Sequence, residues 1–166
     1  GSEETAEYDP DEVVEFEDSK FQALTLYYDK NNDGKLQAWE AALVTELELS
    51  GQSIKSLRGI EYFTELESLN CTSNLLTSLD VTNNRKLRAL WCKSNRIVSL
   101  DVTPLRDLQI LNCESNRLTS LDVSQNTELV HLLCGMNSGA MTDDDGITKI
   151  DVSNNPKLET LSVYYL

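Results

Sequence analysis

The sequence predicts an α/β-type, β-rich, right-handed solenoid. Its concave face is a parallel sheet of about six short strands, and a small helical cap closes its N-terminal end. Three observations lead there. Cys71, Cys92, Cys113 and Cys134 follow one another at intervals of 21 residues. Leucines keep step with them: Leu66, Leu69 and Cys71 recur as Leu87, Leu90 and Cys92, as Leu108, Leu111 and Cys113, and as Leu129, Leu132 and Cys134. Before the first repeat, helical spacing gives way to a twelve-residue loop, Asp29 to Glu40, rich in oxygen donors.

Three segments follow in order. Residues 1–14 read as a disordered acidic lead-in, because Gly1 to Asp18 carries nine acids and no base. Residues 15–43 form the cap, and residues 44–166 form the solenoid, with an insert at 138–146.

In the cap, Phe21, Leu24 and Tyr28 recur at helical spacing, with Asp18 or Ser19 as N-cap. The loop that follows reads DKNNDGKLQAWE. It offers oxygens at the spacing a hard cation needs. Asp29, Asn31 and Asp33 stand at positions 1, 3 and 5, the Lys35 carbonyl at 7, Gln37 at 9 and Glu40 at 12. Gly34 falls at position 6, where the chain turns sharply, and Leu36 points an apolar side chain inward. These residues resemble the EF-hand and, more loosely, the calcium loops of dockerins. The resemblance implies calcium as cofactor, held by Asp29, Asn31, Asp33, Lys35, Gln37 and Glu40. EF-hands usually pair, whereas one loop is visible here. The alternative is a loop that keeps its shape without metal. With calcium, the loop would act as a structural brace over the first rung.

In the solenoid, each cysteine is followed three residues later by Asn74, Asn95, Asn116 or Asn137, and Leu-Asp-Val closes three units at Leu79, Leu100 and Leu121. Val44, Leu47 and Leu49 open an earlier unit, and Leu158, Leu161 and Val163 form a last half-unit. The core L-x-x-L-x-C-x-x-N resembles the leucine-rich-repeat family over Val44 to Val163. The Leu-Asp-Val flavour is similar to secreted repeat proteins of gut bacteria, and Ile54 to Leu66 resembles internalin repeats. A single unit cannot bury its own apolar side, so units stack. The segment around each cysteine alternates in and out as a strand does, and the connections are too short for long helices. Each asparagine falls at an inward turn, where its amide can serve backbone groups of two rungs.

The cysteines share one inward position, which Leu49 and Val163 fill elsewhere. They read as small buried hydrophobes with free thiols, since a strand spacing of about 4.8 Å holds them wider than a disulfide. Asp80, Asp101, Asp122 and Asp151 read as turn residues accepting backbone N–H bonds rather than as a metal ladder. The acidic insert is a solvated loop or a second cation site. The end at Tyr164-Tyr165-Leu166 has no evident cap, which leaves a monomer or weak self-association through the C-terminal edge.

The outward residues of the strands form a middle column of Glu48, Asn70, Trp91, Asn112, Leu133 and Ser162. Trp91 and Leu133 are out of place there, and exposed aromatics among polar neighbours mark interaction sites. Asn70, Trp91, Ile110, Asn112, His131 and Leu133 are therefore the expected ligand-binding residues, for a protein or a glycan. The alternative is that Trp91 lies flat over its neighbours. A net charge of −14 repels nucleic acid and anionic membranes. No stretch approaches the length of a transmembrane segment, and Gly-Ser-Glu-Glu reads as a trimmed or mature start. The resemblance to secreted repeat proteins and internalins implies a site of action outside the cell, secreted or at the surface. There is no nucleophile–base pair and a single histidine, so no enzyme is expected. Two roles remain open: a recognition module working through its concave face, or a spacer domain of a larger surface protein.

Overall fold

The computed structural model describes residues 7–137 and 146–163. Six strands form one parallel sheet in chain order. They are β1 (Glu46–Glu48), β2 (Ser68–Asn70), β3 (Ala89–Trp91), β4 (Ile110–Asn112), β5 (His131–Leu133) and β6 (Thr160–Ser162). Register follows the repeat. Leu47, Leu69, Leu90, Leu111, Leu132 and Leu161 are successive Cα partners. Among the described residues no α-helix follows any of these strands, and a 3₁₀ turn at Ile60–Tyr62 serves the first connection. The fold is a leucine-rich-repeat solenoid.

The core is a continuous stack. Leu66, Leu69, Leu87, Leu90, Leu108, Leu111, Leu129 and Leu132 are fully buried, as are Cys71, Cys92 and Cys113. All four cysteines are free thiols. Each repeat asparagine clasps two rungs. Asn116 Oδ1 accepts from Ile97 N–H at 3.1 Å, and its Nδ2 donates to the Cys92 and Cys113 carbonyls at 3.0 and 3.1 Å. A second asparagine set, Asn84, Asn126 and Asn155, holds carbonyls of the preceding rung on the far side through Nδ2 alone. Asn126 Nδ2 donates to the carbonyls of Val102 and Leu105. The aspartate column is structural, as the repeat implies: Asp80, Asp101, Asp122 and Asp151 each accept the N–H two residues on, at 2.9–3.0 Å.

In the cap, α1 (Ser19–Thr25) starts at Asp18, whose Oδ1 accepts from the N–H groups of Lys20 and Phe21. Its other oxygen accepts from Lys55 N–H at 2.8 Å, which ties the cap to the first rung. Burial works against ionisation of this carboxyl, but the backbone donors of Lys55, Phe21 and Lys20 outweigh it and hold Asp18 below the usual carboxylate range. Phe21 is fully buried against Phe16 and Phe63. Leu24 is exposed, contrary to the helical spacing, because α1 ends at Thr25 and the chain tightens into a 3₁₀ turn at Leu26–Tyr28.

The acidic lead-in is a correction. Residues 1–6 lie outside the described residues, but from Glu7 onward the chain is docked rather than disordered. Val14 is buried, Tyr8 stacks on Tyr62 at 4.0 Å, and Val13 bridges Gln37 antiparallel. Charge density predicted solvation, and local apolar and backbone pairing prevailed. Of the insert at 138–146, only Gly146 is described. Tyr164, Tyr165 and Leu166 lie outside the described residues as well.

Candidate metal centre and concave face

The cap loop is built by its own backbone. Asn32 and Gly34 adopt left-handed φ values of 55° and 80°, which fold the chain back on itself. Asp29 Oδ2 then accepts from Gly34 N–H at 2.8 Å, and Asp33 Oδ1 accepts from Lys35 N–H at 2.9 Å. Asn31 Oδ1 accepts from Asp33 N–H at 3.3 Å. Gln37 Nε2 donates to the other Asp33 oxygen. Hydrogen bonds from the Lys35 backbone and the Gln37 amide hold the Asp33 carboxyl below its ordinary range. Glu40, on the short α2 (Ala38–Ala41), is fully buried and reaches back across the loop. Its Oε2 accepts from Lys30 N–H, and its Oε1 from Gln37 N–H at 3.0 Å.

This geometry brings Asp29, Asp33 and Glu40 together, each offering a carboxylate oxygen within 4.8 Å of the others. Three anionic side chains in one small space repel each other unless a cation sits among them. Within the loop, Asp29 Oδ1 and Gln37 Oε1 are buried without a hydrogen-bond partner, a state that Oδ1 of Asn84, Asn126 and Asn155 shares in the solenoid. Gln37 is only 8% exposed, so water is a poor substitute for its missing partner. An all-oxygen set with unsatisfied acceptors fits a hard divalent cation. Asn31 and Lys35 occupy the loop positions the spacing gave them.

The six concave residues fall into two adjacent columns. Register sets Asn70, Trp91, Asn112 and Leu133 in one, and Ile110 beside His131 in the other. Trp91 is half-buried on the open side of a strand whose inner residue, Leu90, is fully buried. Asn70 Nδ2 donates to Glu48 at 2.9 Å, and His131 Nδ1 lies 3.0 Å from the Thr160 hydroxyl. Glu114 is buried, with Ser162 Oγ donating to it across two strands at 3.4 Å.

Sequence reasoning missed two features here. One is the stretch Pro10–Val14, whose backbone runs along the loop. The signal was faint: two adjacent valines amid acids. The other is a groove of about 680 Å³ between cap and solenoid, lined by Tyr8, Pro10, Trp39 and Tyr62 and rimmed by Glu65 and Lys86.

No protein-family model matches the sequence, and no curated protein matches it. Solved structures do. The functional domain of InlJ from Listeria monocytogenes, which includes a cysteine ladder, is 35% identical with a TM-score of 0.59, over 79% of this chain and 37% of that one. A leucine-rich-repeat protein of Leptospira interrogans is 25% identical with a TM-score of 0.67, over 76% of this chain and 32% of that one. The internalin InlF of Listeria monocytogenes, at 24% identity and a TM-score of 0.74, covers 89% of this chain and 43% of that one, and bears on the fold. The chain thus spans less than half the length of each of these structures. Its repeats, register and sheet make it a leucine-rich-repeat solenoid, the architecture of the internalins it resembles.

Proposed function

We propose that this chain is a non-enzymatic recognition module, secreted or at a cell surface. It binds a protein or glycan on its concave face and is stiffened by a structural calcium ion in its cap. The observation that carries the reading is Trp91. An indole left half-open between two asparagines, on a sheet whose core is already filled, offers a large rigid contact at low entropic cost. Asn70 and Asn112 provide amides beside it, and Ile110, His131 and Leu133 extend the surface. Binding rather than catalysis is the reading for this face, where His131 Nδ1 pairs with the Thr160 hydroxyl across adjacent strands at 3.0 Å.

The calcium part rests on the three converging carboxylates and the two unpartnered oxygens. When bound, the ion would supply charge neutralisation and six to eight oxygen bonds, with Asp29, Asn31, Asp33, Gln37, Glu40 and the Lys35 carbonyl as the holding groups. Extracellular modules bind at roughly 10⁻⁴–10⁻³ M, so external calcium would keep the loop filled. No helix among the described residues is long and apolar enough to cross a membrane. Leu161 on β6 is 41% exposed where Leu132 is fully buried, and the chain is read as a monomer or as self-associating weakly through that strand.

The test is to immobilise the chain and its Trp91→Ala variant, with and without calcium, and probe glycan arrays and extracellular protein extracts. A ligand held by the parent and lost by the variant is the expected result. Equal, empty results from both would favour a spacer domain instead.

A further inference from the structure

A calcium loop that stands alone leaves the backbone groups around its eighth position without a partner, and such groups need one. In this chain a segment from outside the loop provides it. Val14 N–H donates to the Leu36 carbonyl at 2.8 Å, and Val13 bridges Gln37 antiparallel. In return, Ala38 N–H donates to the Glu12 carbonyl at 2.8 Å and Trp39 N–H to the Pro10 carbonyl at 3.0 Å. These bonds flank the two residues that close the loop, Gln37 and Glu40.

We propose that Pro10–Val14 serves as the loop's missing partner strand, so that docking of this segment and calcium binding form one linked equilibrium. The inference rests on the calcium reading above. With the segment docked, Leu36 to Trp39 are fixed, and Gln37 and Glu40 are aimed before the ion arrives. The ordering cost is then not charged to binding. By linkage, the ion holds the segment as strongly as the segment holds the ion.

The segment is anchored at both ends to the first rung. Tyr8 stacks on Tyr62, and the Tyr62 hydroxyl donates to Glu12 at 3.2 Å. Phe16 meets the edge of Phe21 at 5.2 Å and closes on Gly59. Calcium in the loop therefore bears on how the cap grips the solenoid. Pro10–Val14 positions the ligands and contributes no ligand itself.

The test compares Val14→Pro, which removes the N–H that reaches Leu36, with Val14→Ala, which keeps that N–H and trims the buried side chain. Calcium affinity is read by calorimetry on the full chain, and hydrogen exchange is followed at Val14, Ala38 and Trp39. The expected result is calcium-slowed exchange at all three amides in the parent. Val14→Pro should bind calcium at least about ten-fold more weakly, with Val14→Ala close to the parent. A parent that binds calcium while Val14→Pro binds equally well overturns this inference alone. A parent that takes no calcium overturns the calcium reading and this inference with it. If Val14→Pro fails to fold, exchange in the parent decides: amides indifferent to bound calcium overturn the proposal.

Discussion

The Asn95 side chain donates to the carbonyl of Cys71, one rung earlier, at 2.9 Å. The same amide donates to Cys92 of its own rung at 3.1 Å, and its oxygen accepts from Leu76 N–H. One buried residue thus satisfies three backbone groups that have no ladder partner.

Replacing it with an apolar residue of similar size strands all three. Asn95→Leu is expected to cost about 3 kcal/mol, from unsatisfied buried groups at about 1–3 kcal/mol each with partial relaxation. Urea unfolding of the variant measures it. A loss below about 1 kcal/mol would mean that the backbone groups find other partners.

The cysteine column predicts an alkaline weakness. Burial pushes the Cys71 thiol up to about 12 and Cys134 up to about 11, and raises Cys92 and Cys113 well above the ordinary value. In the unfolded chain these thiols ionise near 8.5. Below that pH both states keep their protons and stability is whole. Above it the unfolded chain sheds protons that the folded chain retains, so stability falls as pH rises, by about 1.4 kcal/mol per pH unit per thiol. Denaturation curves between pH 8 and 10 should show the decline. Cys113→Val, which places there the residue found at Val163, should make it shallower by about one thiol's share.

Calcium should raise the unfolding midpoint. At a concentration ten to a hundred times a dissociation constant in the extracellular range, the gain is about 1–3 kcal/mol. Glu40→Gln should abolish the calcium dependence. Scanning calorimetry with calcium and with chelator reads both, and identical traces for the parent would remove the brace from the account.

Gly59 marks where the cap seats on the first rung. Its φ is +110°, and a β-carbon there would lie 2.8 Å from the Phe16 ring and 3.2 Å from the Glu15 carbonyl oxygen. Gly59→Ala should destabilise the chain by about 1–3 kcal/mol. The loss should show in chemical denaturation as earlier release of the cap.

The solenoid was legible because a repeat states its register several times over. A slip at one rung would contradict the next, so all six strands fall where leucine spacing puts them. The second asparagine set was visible too, in Asn84, Asn126 and Asn155, but Leu105 breaks it and hides the ladder. The convergence of Asp29, Asp33 and Glu40 was legible from spacing alone. The docked segment Pro10–Val14 was not, because its partners are backbone atoms of Leu36, Ala38 and Trp39, and backbone pairing leaves almost no trace in side-chain chemistry. Leu24 misled for a related reason: helical spacing assumes the helix continues, and α1 stops one residue later.

The asparagine clasp has a direction. Asn95 holds the rung before it, Asn116 the rung before that residue's own, and Asn137 likewise. Tension applied at the C-terminal end therefore meets the clasps one at a time. Each rung between β2 and β5 would release 21 residues when freed, about 70 Å of slack at full extension, while the rungs behind it stay shut. A tether built this way lengthens in steps under load, and single-molecule pulling would show a staircase with the cap as its last tread.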